Sequence, residues 1–141
     1  MPPAFPTVAG PSPIVLLHLG SALAALVLGA AILLRPKGRG AHRWMGWTWV
    51  ALMATAALSS AFVGTGRMPN LAGFSPIHLL TLFVLWQQPR GVLAARRGEV
   101  ALHRKTMRGL YIGGCVVAGL FTLAPGRLLG QWLWGAAGLL A

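Results

Sequence analysis

Residues 14–34 read IVLLHLGSALAALVLGAAILL. About 20 apolar residues in a helix cross the hydrocarbon core of a bilayer, and this run reaches that length with no charge in it. It stops at Arg35-Pro36. Three further runs of similar length lie downstream. The second extends from about Trp44 to Val63 and closes at Gly64-Thr65-Gly66. The third follows Ser75-Pro76, a helix start with Ser as cap and Pro in the first turn, and continues to about Ala95, although Gln87, Gln88, Pro89 and Arg90 make its second half polar. The fourth covers about Lys105 to Ala124 and ends at Pro125-Gly126. A last apolar piece, Leu128–Leu140, is too short to span, and Trp132 and Trp134 suit an interfacial helix. The expected fold is all-α: an integral membrane four-helix bundle with a short C-terminal interfacial helix, forming one membrane domain over 1–141.

Composition supports that class. Charged residues are 9% of the chain and hydrophobic residues 56%, too few charges to cover a small soluble domain. Disorder is excluded too, since disordered chains are polar and poor in aromatics. The net charge of +11 sets 12 Lys and Arg against one acid, Glu99. A membrane protein needs no nucleic acid to explain this, because basic residues gather in cytoplasmic loops. Arg35, Lys37, Arg39 and Arg43 lie between the first two runs; Arg90, Arg96, Arg97, Arg104, Lys105 and Arg108 surround the connection between the last two. Only Arg67 and Arg127 fall on the other side. The asymmetry orients both termini away from the cytoplasm. The Pro-rich segment Met1–Pro13 has no positive charge and reads as an extramembrane tail. Cys115 stands alone, so neither an intrachain disulfide nor a cysteine-based metal site is available.

The sequence also repeats itself. His18, His42 and Arg67 are spaced by 24 and 25 residues; His78, His103 and Arg127 by 25 and 24. Each half has a His-Arg dipeptide opening its second helix, His42-Arg43 and His103-Arg104. Repeat 1 covers about 14–67 and repeat 2 about 77–127, which describes a duplicated helical hairpin of one topology. Its drift shows in Ser12-Pro13-Ile14, which precedes His18 by one helical turn more than Ser75-Pro76-Ile77 precedes His78.

A two-fold axis along the membrane normal would set His18 opposite His78 at the outer level and His42 opposite His103 at the inner level. Ionisable residues in a membrane point to function by default. Two imidazoles at each of two levels suit haem b, whose iron takes two axial nitrogens and whose macrocycle packs between helices. Zinc prefers four ligands, or three and water, which neither level supplies. A proton relay would use carboxylates that the spans lack. The haem propionates need cations: Arg67 and Arg127 at the outer level, and Arg43, Arg104, Lys105 and Arg108 at the inner. The expected site is therefore four iron ligands, His18, His78, His42 and His103, holding two haems per chain. The ordinary alternative is that the histidines bond between helices and the cations only obey the positive-inside rule.

Three segments carry a resemblance: Gly40-Ala41-His42-Arg43-Trp44-Met45-Gly46-Trp47, Phe74-Ser75-Pro76-Ile77-His78-Leu79-Leu80, and Leu102-His103-Arg104-Lys105-Thr106-Met107. They resemble a bacterial membrane family, domain of unknown function 2306, over most of residues 14–127. The resemblance implies a four-span protein of the bacterial inner membrane and lends no activity. In architecture alone, the paired histidines are also similar to the di-haem cytochromes b that carry electrons from ascorbate across membranes.

The expected function is thus a di-haem b-type cytochrome, an electron-transfer oxidoreductase passing electrons across the bilayer. Its expected partners, beyond lipid and haem, are a quinone or small reductant and an acceptor or redox subunit; a homo-oligomer is compatible with this reading. The alternatives are a non-catalytic scaffold or assembly subunit with structural histidines, and a small transporter, against which the lack of intramembrane carboxylates counts.

Overall fold

A computed structural model of the chain describes residues 12–37, 40–63, 76–124 and 128–136. Among these residues all regular structure is helical. Helix α1 is Pro13–Leu34, α2 is Gly40–Ser60, and α3 is Pro76–Arg96. Helix α4, Val100–Leu110, runs without a break into a π-helical stretch, Tyr111–Val117, and on into α5, Ala118–Thr122. Helix α6 is Leu128–Ala136.

Local chemistry sets the ends. Pro13 opens α1, where its missing N–H costs nothing. Pro36 ends it by forcing the preceding residue out of helical geometry, and Arg35 is extended at φ −90°, ψ 155°. Lys37 then reaches back to donate to the Leu33 carbonyl at 2.7 Å, satisfying one of the last carbonyls of α1. Between α3 and α4, Gly98 adopts φ +75°, which costs a glycine little. Around it Glu99 N–H donates to Ala94 O at 2.9 Å and Gly98 N–H to Ala95 O at 3.2 Å, the paired bonds of a Schellman ending.

Helix starts do not coincide with the starts of the apolar runs. The second and fourth runs begin at Trp44 and Lys105 by hydropathy, but α2 begins at Gly40 and α4 at Val100. Hence His42 and His103 lie within helices. The π-helical stretch was not expected from the sequence either; it carries Gly113-Gly114, and such widened turns recur at functional sites.

Helix α1 packs on α2, α3 on α4, α2 on α3, and α1 on the π-helical stretch. The core is Ala25, Trp49, Met53, Ala57, Val84, Leu110 and Cys115. Around it Val27, Leu34, Phe62, Trp86 and Phe121 are exposed. An apolar exterior around a core this thin suits lipid as the surrounding solvent. Among the described residues, α1 is the one helix both long and apolar enough to cross a membrane by length and composition, with mean hydropathy 2.2. Helix α6 turns back on the end of α5, where Trp134 Nε1–H donates to Leu123 O at 2.8 Å.

Candidate functional site

Three of the four histidines, His18, His42 and His103, fall on the stripe of their helix that faces the core. On α1, His18 shares a face with Ser21, Ala25 and Gly29, the buried residues of that helix. On α2, His42 is in register with Trp49, Met53 and Ala56. On α4, His103 aligns with Thr106 and Leu110; on α3, by contrast, His78 stands about a third of a turn away from the buried row Val84, Gln88 and Gly91. All four histidines are half-buried.

At the end of the molecule where α2 and α4 begin, two of them meet. The His42 and His103 rings stand edge to face, their centroids 6.5 Å apart and their planes at 86°. His103 Nδ1 lies 2.8 Å from Gly91 O. A carbonyl can only accept, so Nδ1 carries a proton, and in the neutral ring Nε2 keeps its lone pair. His42 lies ahead of the apolar part of α2, which begins at Trp44. Its pKa is lowered, first by burial, then by the neighbouring His103 and by Lys37. The lowering favours the neutral ring, the form in which imidazole binds a metal.

At the opposite end, His18 Nδ1 donates to Ala56 O at 2.8 Å, with Ser59 Oγ at 3.3 Å. The Ser59 hydroxyl itself donates to Thr55 O at 2.7 Å, so its oxygen faces the ring as an acceptor. His18 therefore also has its proton on Nδ1, which in the neutral ring leaves the lone pair on Nε2. His78 lies in the first turn of α3, and one turn on a Ser60–Thr81 hydroxyl bond of 2.8 Å ties α2 to α3. Arg67 and Arg127 lie outside the described residues. The other cations expected beside a cofactor, Arg43, Arg104, Lys105 and Arg108, are all exposed.

Between the two ends the core is closed by polar side chains that bond to backbone. Trp49 Nε1–H donates to Ala25 O at 2.9 Å and Tyr111 O–H to Leu26 O at 3.2 Å. Gly29 lies one turn along α1, where a Cβ would come within 2.5 Å of the Tyr111 ring and 2.7 Å of Trp49 Nε1. The Gln88 amide donates to Val50 O, and Cys115 Sγ–H to Met53 Sδ at 3.3 Å. Sequence reasoning missed Ser59, Gly91, Trp49 and Tyr111. Only the last two left a signal: each lies two turns beyond a histidine on the same helix face.

Apolar helices with lipid-compatible exteriors and a basic, nearly acid-free sequence define an integral membrane protein. The family described as predicted membrane protein (DUF2306) matches residues 15–131, and the chain belongs to it. No curated protein and no solved structure matches the chain.

Proposed function

We propose that the chain is a multi-pass protein of the bacterial inner membrane, a four-helix bundle of two repeated hairpins with both termini outside the cytoplasm, that binds haem b and passes electrons across the bilayer. The observation that carries the reading is the His42–His103 pair. Two imidazoles ligating one metal stand with their ring centroids roughly 6 Å apart; these rings lie 6.5 Å apart, edge to face, so one ring would turn to bring both nitrogens onto one iron. Two further features support it: His18, His42 and His103 lie on core-facing stripes, and His18 and His103 each donate from Nδ1, which in the neutral ring leaves Nε2 to coordinate.

The chain's own residues would do three things. His42 and His103 would ligate the iron at one end, His18 and His78 at the other. Gly91 O and Ala56 O, by accepting from Nδ1, would hold two of the rings in orientation and raise their basicity, as outer partners of metal-bound histidines do. Arg104, Lys105 and Arg108 would neutralise propionates at the first end and Arg67 and Arg127 at the second; Arg43, on the outward face of α2, stands apart from them. Bound haem supplies a one-electron iron couple whose potential its ligands and surroundings tune.

A second reading has its own support. The His18–Ala56 and His103–Gly91 bonds both link neighbouring helices, which is what structural histidines of a scaffold subunit would do. A visible absorption spectrum of the purified protein from haem-sufficient cells, with and without dithionite, separates the two. The cytochrome reading expects sharp low-spin reduced bands and two haems per chain. A colourless, stably helical preparation refutes it and leaves the scaffold.

A further inference from the structure

The face of α2 opposite the core stripe carries a second feature. Gly40, Arg43, Trp44 and Trp47 follow one another at helical spacing and line a surface cleft of about 390 Å³. Trp44 is 78% exposed and Trp47 54%, although large aromatics gain most from burial. The core face of α2 is taken by Trp49, Met53 and Ala56, so neither indole can turn inward. Indoles at the start of an apolar helix sit at the level of lipid headgroups. The same cleft is lined by one exposed guanidinium, Arg43, in a chain whose 12 cations face a single carboxylate, Glu99. The cleft therefore offers a fork of N–H donors with uncompensated charge, walled by apolar rings.

We infer that this cleft binds the phosphodiester headgroup of an anionic phospholipid. Guanidinium meets phosphate oxygens in a bidentate, charge-assisted geometry that a lysine cannot reproduce. The indole walls add contact with the glycerol and upper acyl chain, which inorganic phosphate lacks. The protein's surplus of positive charge favours an anionic lipid over a zwitterionic one of equal size. The inference needs the membrane setting of the family and is independent of any cofactor.

The test uses the full chain in neutral detergent, titrated with short-chain brominated phosphatidylglycerol while tryptophan fluorescence is followed. Saturable quenching is expected, with clearly tighter binding than brominated phosphatidylcholine. Arg43→Ala should weaken it about ten-fold, the scale of one charge-assisted bond, and Arg43→Lys by less. Arg97→Ala, a cation outside the cleft, should bind as the unaltered chain does. Trp44→Phe with Trp47→Phe should remove most of the quenching amplitude at unchanged helix content. Equal losses in Arg43→Ala and Arg97→Ala would mean diffuse charge and overturn the site, as would equal affinity for phosphatidylcholine. Displacement of the lipid by millimolar inorganic phosphate would reassign the cleft to a free anion.

Discussion

Gly29→Ala is expected to destabilise the protein, against the usual preference of helices for alanine. In an unobstructed helix the exchange stabilises by about 1 kcal/mol. At Gly29 the new methyl carbon would lie 2.5 and 2.6 Å from two carbons of the Tyr111 ring and 2.7 Å from Trp49 Nε1. Both rings are held by hydrogen bonds to α1 itself, Trp49 to Ala25 O and Tyr111 to Leu26 O, so neither can withdraw without weakening one. Overpacking of this kind costs about 1–3 kcal/mol, and two intramembrane hydrogen bonds contribute about 0.6 kcal/mol each. The net expectation is a loss of about 1–3 kcal/mol. Gly20, on the same helix, is the control, because a Cβ there would meet nothing within 4 Å; Gly20→Ala should be neutral or stabilising. Reversible unfolding in mixed micelles, followed by far-ultraviolet circular dichroism, measures both. If Gly29→Ala is as stable as Gly20→Ala, then α1 does not approach Trp49 and Tyr111 as described, and the packing argument fails.

Other outcomes follow from the same structure. In the haem-bound protein, His42→Ala and His103→Ala should each remove one spectral component and the double variant little more, because one lost ligand already compromises the site; His18→Ala and His78→Ala should remove the other. Depletion of one common component by His18→Ala and His42→Ala would refute the two-level arrangement. The lowered pKa of His42 means that the unfolded chain binds this proton more readily than the folded one. Its contribution is fully present above the unfolded value of about 6.5 and is lost as pH falls from there toward the folded value. His42→Gln should flatten that part of the stability–pH curve, and an unchanged slope would show that another group titrates. A reporter fused after Ala141 should be active only outside the cytoplasm, whereas cytoplasmic activity would require an odd number of spans.

The membrane class was legible in residues 14–34 and in the scarcity of charge, because a bilayer imposes length and apolarity on each segment separately. Pro36 announced the end of α1 for an equally local reason, backbone geometry that only the neighbouring residues decide. The helix starts at Gly40 and Val100 were not legible from hydropathy, since a first turn can be polar and still be helical. The duplicated histidine spacing pointed to pairs but could not say which rings meet. That depended on how α2 and α4 are set by their contacts with other helices. It is tertiary packing that turns His42 against His103, gives each of His18 and His103 a carbonyl partner on a neighbouring helix, and closes Trp49 and Tyr111 over Gly29. A helical membrane protein with four histidines at repeated spacing could be read from the residues alone, because periodicity and apolarity act within one segment. That His18, His42 and His103 face the core, and that Arg43 shares an outward cleft with Trp44 and Trp47, came from packing, because a side chain's surroundings are made by the helices packed around it.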